Sequence, residues 1–177
     1  ADVTTTSMDA YNFYLQGRDA SDKYYDADAR QYLLKAIDID PTFATAYLAL
    51  GMTYASLGDI NARDEAFEKA KEYSNRATER ERLYIEGAYA YFVEKDHEKD
   101  LRILMKYVKK YPKDKRAYFY LASLYQQKEL ITQAVDAYSR ALELDPEFGP
   151  ALNSLAYLCI KLGDYDKAIE YFTEYTN

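Results

Sequence analysis

The chain has 177 residues, of which 49% are apolar and 30% charged, enough for one folded domain or a short repeat array. With only 4 prolines and 6 glycines it lacks the turn residues of an all-β fold. Its net charge of −7 argues against a nucleic-acid partner, since the most basic stretch, residues 106–116, is broken by Pro112 and Asp114. No apolar run reaches the roughly 18 residues that a membrane-spanning helix needs, so no membrane partner is expected.

The chain opens at Ala1 rather than Met, without a cleavable signal pattern, and is expected to be a piece of a longer protein or a processed product. Residues 1–6, with Thr4, Thr5 and Thr6, read as a linker or tail. Ser7 is placed to cap a first helix. A period follows. Gly17 and Gly51 lie 34 residues apart, as do Ala36 and Ala70, and Ala122 and Ala156. Gly87 falls 36 residues after Gly51 and 35 before Ala122. Pro41, Pro112 and Pro146 form a third series. The stretch KAIDIDPTFATAY (35–47) returns 105 residues later as RALELDPEFGPAL (140–152), close to three periods on. Several markers on one period predict stacked copies of a single unit.

The units are 10–43, 44–77, 80–114, 115–148 and 149–177. Each is predicted to be helix A, a short turn and helix B. In the second, Tyr47, Leu50, Gly51 and Tyr54 follow i, i+3, i+4, i+7. Tyr118, Leu121, Ala122 and Tyr125 do so in the fourth, and Leu152, Leu155, Ala156 and Cys159 in the fifth. "LGD" at 57–59 and 162–164 offers a glycine to close helix A in a left-handed conformation. Asp40-Pro41 and Asp145-Pro146 close helix B. The small residue inside helix A lets helix B come close, which offsets the ~1 kcal/mol that glycine costs a helix. The second unit departs at Arg63, where other copies have Ala, and lacks the closing Pro. The third carries Glu86 for Leu, Asp100 for Ala, and Lys106 or Tyr107 for a small residue. Extra residues at "RAT" (76–78) and around "EKDHEKD" are expected to alter the local superhelical twist.

Residues with catalytic potential are few. His97, the one histidine, reads as an exposed turn residue, and a zinc site would need several ordered ligands. Cys159 is the one cysteine, so no internal disulfide forms. It falls on the apolar stripe of the last helix A and reads as a small buried hydrophobe. Acidic pairs such as Asp38 and Asp40 sit in turns. No metal, cofactor or catalytic residue is expected, and the chain does not read as an enzyme.

The stretches YLALGMTYASLGD (47–59), AVDAYSRALELDPEF (134–148) and LGDYDKAIEYF (162–172) resemble the tetratricopeptide repeat, and the resemblance extends over nearly the whole chain. It implies an all-α fold, a right-handed α-solenoid of about five helix-turn-helix units. It also implies a non-catalytic protein–protein interaction module that binds an extended peptide or a partner helix in a concave, aromatic-lined groove formed by the A helices. By repeat position that groove would be lined by Tyr14 and Arg18, Leu48 and Met52, Tyr84 and Tyr91, Arg116 and Phe119, and Asn153 and Tyr157. Some members clamp a chaperone's C-terminal carboxylate. The corresponding positions here, Tyr14, Arg18, Ala49, Glu81 and Ile85, lack the required lysines and asparagines. Two other roles remain open. One is self-association, as a homo-oligomer, through a C-terminal helix whose outer face nothing covers, although Ile169 and Phe172 should be partly shielded by their own helix A. The other is a substrate-positioning accessory domain of a larger enzyme or signalling protein. TTTSMDAYNFYLQGR (4–18) and ATERERLYIEGAYAYF (77–92) resemble tetratricopeptide regions of multidomain bacterial signalling proteins. A cytoplasmic location is the expectation.

Overall fold

The computed structural model describes residues 5–176. Those residues form ten α-helices and no strand, an all-α helical-repeat solenoid. The helices come in consecutive pairs: α1 (Met8–Asp22) with α2 (Asp26–Ile39), α3 (Ala44–Leu57) with α4 (Ile60–Glu72), α5 (Glu79–Tyr89) with α6 (His97–Lys110), α7 (Lys115–Gln127) with α8 (Ile131–Leu144), and α9 (Gly149–Leu162) with α10 (Tyr165–Thr176). Odd-numbered helices are the A helices. Packing divides the chain between Ile103 and Leu104, inside α6, into two compact units.

Local chemistry sets the helix ends. The Ser7 hydroxyl oxygen accepts the Ala10 N–H at 3.2 Å, as its position suggested. Asp59 caps α4 through Ala62 N–H at 3.1 Å. Gly58 and Gly163 close α3 and α9 at φ +76° and +80°, the left-handed region open to glycine.

In the N-terminal unit the small residues of helix A mark the closest approach of helix B. A Cβ on Gly17 would lie 2.7 Å from Leu33 Cγ and 3.3 Å from the Ala29 carbonyl oxygen. On Gly51 it would lie 2.6 Å from Phe67 Cε1, and on Gly87 2.7 Å from Asp100 Oδ1. Leu33 and Phe67 are fully buried in the hollows these glycines leave. Two apolar clusters result. One joins Tyr14, Leu33, Ala36, Phe43 and Leu50. The other joins Leu48, Phe67, Ala70, Ile85 and Ala88.

The third pair carries one extra residue. Helix B presents a residue to the small position 12 later in four units: Ala29 after Gly17, Arg63 after Gly51, Ala134 after Ala122 and Ala168 after Ala156. Asp100 follows Gly87 by 13. The surplus is absorbed by a π-helical turn, Ala90–Glu94, that continues α5 and ends at Lys95 with φ +59°. A π turn accommodates one inserted residue without breaking the helix, so helix B recovers its register. Phe92 in that turn stacks on Phe67 at 4.9 Å, and the Arg63 guanidinium lies 5.1 Å from its ring centroid. His97 is not an exposed turn residue. It opens α6, half-buried, its ring 4.5 Å from that of Tyr91. The "RAT" stretch begins on the last residue of a 3₁₀ turn, Ser74–Arg76, and supplies Thr78, which forms a reciprocal capping box with Glu81.

In the C-terminal unit Phe148, Ala151, Leu155 and Leu158 pack on Ala134, Tyr138 and Ala141. Here Tyr107, not Lys106, takes the position that holds Ala in other copies. Its buried hydroxyl donates to Asp114 Oδ2 at 2.7 Å. Asp114 stands where Phe43 and Phe148 stand in their units, so an aromatic and a small residue have exchanged places across the helix B–helix A junction.

Gly51→Ala is expected to destabilise the chain by about 2 kcal/mol, because the rigid Phe67 ring has no room to retreat. Gly58→Ala, which meets no atom within 4 Å, should cost only about 1 kcal/mol from its backbone angle. Urea unfolding of the two variants checks the order. Equal losses would contradict the close-approach role of Gly51.

Candidate functional site

The A helices of the N-terminal unit, α1, α3 and α5, lie side by side and are tied by hydroxyl contacts. Thr53 Oγ1 donates to the Ala49 carbonyl at 3.0 Å, which leaves its oxygen to accept from Ser21 Oγ at 3.3 Å. Thr45 Oγ1 donates to Glu81 Oε1 at 2.7 Å, and both residues are buried. The other oxygen, Oε2, accepts the Thr78 N–H at 2.9 Å. A buried carboxylate so held costs little and fixes α5 against α3. Sequence reasoning placed neither tie. Their only sequence signal is Ser, Thr or Glu at A-helix positions that would otherwise be apolar.

The ten wall positions fall into two depths. Tyr14 and Leu48 are only 5% and 8% exposed and present almost no surface. Tyr14 packs on Phe43 at 5.2 Å, and Leu48 joins the cluster with Phe67 and Ala88. They face the neighbouring A helix, which at the usual 8–10 Å spacing covers a large side chain. The next helical positions open outward. Arg18 and Met52 are partly exposed, as are Tyr84 and Tyr91 on α5 and its π turn. Arg18 is held in place: its Nη1 donates to the Tyr14 hydroxyl at 2.9 Å, and its guanidinium lies 5.5 Å from that ring's centroid.

The C-terminal unit brings Arg116, Phe119, Asn153 and Tyr157 to its A helices, α7 and α9. The Arg116 backbone N–H donates to Asp114 Oδ1 at 3.1 Å, and its guanidinium lies 5.8 Å from the Phe148 ring centroid. Phe119 is half-buried edge-on against Phe148, centroids 5.8 Å apart. Asn153 is half-buried. Tyr157 is 60% exposed, its ring T-shaped on Phe172 at 5.5 Å. Behind this wall the buried Tyr138 hydroxyl donates to Gln126 Oε1 at 2.9 Å and lies 3.2 Å from Ser123 Oγ. No group of three His, Cys, Asp or Glu side chains among the described residues is placed to hold a metal ion. Cys159 is buried, and burial pushes its thiol up from the ordinary value. No described helix is long and apolar enough to cross a membrane.

Two tetratricopeptide repeat family models match the chain, one over residues 44–78 and the other in two overlapping spans, 101–147 and 121–176. The chain belongs to the tetratricopeptide repeat family. Solved structures share this fold. MamA from Desulfovibrio magneticus RS-1, residues 41 to the end, is 22% identical, with 97% of this chain and 96% of that one covered and a TM-score of 0.52. A Pseudomonas aeruginosa PilF structure is 22% identical, covering 94% and 75%, with a TM-score of 0.52. A monomeric mutant of IFIT1 with Gppp-AAAA is 19% identical, covering 84% of this chain and 36% of that one, with a TM-score of 0.61. At these identities the likeness concerns the fold alone. No curated protein sequence matches the chain.

Among tetratricopeptide positions one titratable group stands out. Asp100 is buried in the hollow opposite Gly87, and burial alone pushes its carboxyl up to about 7. In the unfolded chain it titrates near the ordinary carboxylate value of about 4. The native state therefore holds a proton that the unfolded state has lost. The contribution is complete below about pH 4 and fades as pH rises through about 7, by up to ~4 kcal/mol. Asp100→Asn is expected to lose less stability than the parent chain between pH 5 and pH 8. Urea unfolding at both values checks it, and an unchanged difference would place the titration elsewhere.

Proposed function

We propose that the chain is a non-catalytic protein–protein interaction module, and that an extended peptide or amphipathic helix binds across α1, α3 and α5 of the N-terminal unit. The observation that carries this reading is the row of partly open side chains, Arg18, Met52, Tyr84 and Tyr91, standing on A helices locked by the Ser21–Thr53 and Thr45–Glu81 contacts. A rigid platform loses little conformational freedom on binding. Arg18, already oriented by Tyr14, offers a fixed cation for a ligand carboxylate or carbonyl. Met52 adapts to an apolar side chain. The tyrosines add contact area with few rotatable bonds. In the C-terminal unit Arg116 and Asn153 offer polar contacts on the equivalent helices. Membership of the tetratricopeptide repeat family supports the interaction role.

Peptides selected from a random display library against the 177-residue chain provide the ligand for a calorimetric test. Arg18→Ala and Met52→Glu should each weaken the selected peptides by about tenfold or more. Glu65→Ala, on the exposed face of α4, should leave affinity unchanged. Peptides that bind equally to all three variants would rule out this wall as the site.

A further inference from the structure

The third helix B carries lysine where its counterparts carry acid. One residue before Ala36, Ala70 and Ala141 stand Lys35, Lys69 and Arg140, and three residues further on stand Asp38, Glu72 and Glu143. Lys69 pairs with Glu72 at 2.7 Å, and Arg140 pairs with Glu143, so on α4 and α8 an acid one turn away answers the cation. On α6 the cation is Lys106, just before Tyr107, and Lys109 takes the place of the acid. Lys110 follows, and after Pro112 Lys113 stands where the fourth unit has Glu147. All four lysines are exposed and belong to the C-terminal unit.

Lys106, Lys109 and Lys110 fall within about 100° of one another around α6, and Lys113 lies in the turn just past its end. Asp114 interrupts this run in the sequence but not on the surface, because it is buried and accepts the Tyr107 hydroxyl. Among the described residues no ion pair holds Lys106, Lys109 or Lys113. Met105, 50% exposed, stands one turn from Lys109. A cation near a helix C-terminus is favourable in itself, yet α2 and α8 end with no basic residue in their last turn. The row of like charges also costs α6 what α4 and α8 gain from their ion pairs. Helix-end chemistry therefore does not account for it.

We propose that this row is a docking site for an acidic peptide segment of a protein partner, separate from the wall of A helices. Charge and length select the occupant. From Lys106 to Lys113 the row spans about 11 Å at the helical rise, the reach of three or four residues of extended peptide. A few consecutive carboxylates supply the counter-charge that Glu72 and Glu143 supply on the other helices, and an apolar side chain beside them covers Met105. A nucleic acid is a longer polyanion and would run past the row over a chain whose net charge is −7. A membrane surface calls for a broader apolar face than Met105 offers.

Fluorescence polarisation with the labelled peptide EEELEEE, and QQQLQQQ as its uncharged control, tests this on the 177-residue chain. The glutamate peptide is expected to bind and the glutamine peptide not to. Lys106→Glu combined with Lys109→Glu should weaken binding about tenfold or more. Arg30→Glu combined with Lys161→Glu makes the same change in net charge at exposed positions elsewhere and should leave affinity within about twofold. Arg18→Ala should leave it unchanged, which keeps this site distinct from the wall on α1, α3 and α5. Lys109→Glu alone should raise the urea midpoint, because it restores the pair made by Lys69 and Arg140, whereas a lysine serving the helix end would lower it on removal. No binding of the glutamate peptide overturns the proposal. So does an equal loss in the Arg30 and Lys161 variant, a loss in Arg18→Ala, or a lowered midpoint in Lys109→Glu. Tighter binding of oligothymidylate or of phosphatidylserine vesicles to the same row would overturn the choice of a peptide.

Discussion

The structure depends on one close contact repeated along the chain: the approach of helix B to a residue without a bulky side chain in the middle of helix A. At Gly17, Gly51 and Gly87 even a methyl group would sit under 3 Å from the opposing helix. At Ala122 and Ala156 a methyl group is accommodated, fully buried. The contact sets how deeply helix B sits, and so which of its side chains reach the interior. Leu33, Phe67 and Tyr138 occupy one equivalent position in three units, all buried. A helix pair so formed cannot cover its remaining apolar faces alone, and the neighbouring A helix supplies the cover. That cover is also why Tyr14 and Leu48 are core residues rather than wall residues.

The third pair shows how much departure this contact tolerates when the changes compensate. One inserted residue would rotate helix B by a full residue and turn Leu104 and Tyr107 away from their buried positions. The π turn takes up the surplus, and both residues are buried as their counterparts are. The turn also swings Phe92 onto Phe67 and beneath Arg63, so the arginine that replaces an alanine finds an aromatic face for its guanidinium. Tyr107 and Asp114 exchange the sizes found at Ala141 and Phe148, and their hydrogen bond satisfies both polar groups. Asp100 gains no such compensating partner from these changes, and burial raises its carboxyl to about 7.

Sequence periodicity made the fold legible because the repeated constraint is steric and local. A glycine at the crossing, a glycine at the end of α3 or α9, and a proline after helix B each need a particular residue type, so spacing reveals them. The wall was harder to read. The ten positions share a helical phase, but phase does not distinguish a side chain facing solvent from one facing the next A helix. The 21 tyrosines compound this. A buried tyrosine needs only one partner for its hydroxyl, and the chain provides it at Tyr107 through Asp114, at Tyr138 through Gln126 and at Tyr14 through Arg18. Much of the aromatic content is therefore core with a satisfied polar tip. The Thr45–Glu81 and Ser21–Thr53 ties left almost no trace, because a single polar residue on an apolar stripe reads equally well as surface.

Repetition also makes the ends informative, since each terminal position has an inner counterpart whose environment is known. A stripe is read as core only when its neighbour is assumed, and at the ends that assumption becomes testable by comparison within the same chain. On α1 the leading stripe carries Asp9, Asn12, Gln16 and Asp19, all exposed, and the inner helix α5 carries Glu79, Arg82 and Glu86 at the corresponding positions. On α9 two positions of the trailing stripe have become apolar, Tyr157 for Ser123 and Ile160 for Gln126, while on α10 Ile169 stands for Val135 with little change. Ala168, Tyr171 and Phe172 already seat α10 against α9, and Tyr157, Ile160, Tyr165 and Ile169 are largely exposed. Their apolar character adds little to the stability of the isolated pair while raising its tendency to associate.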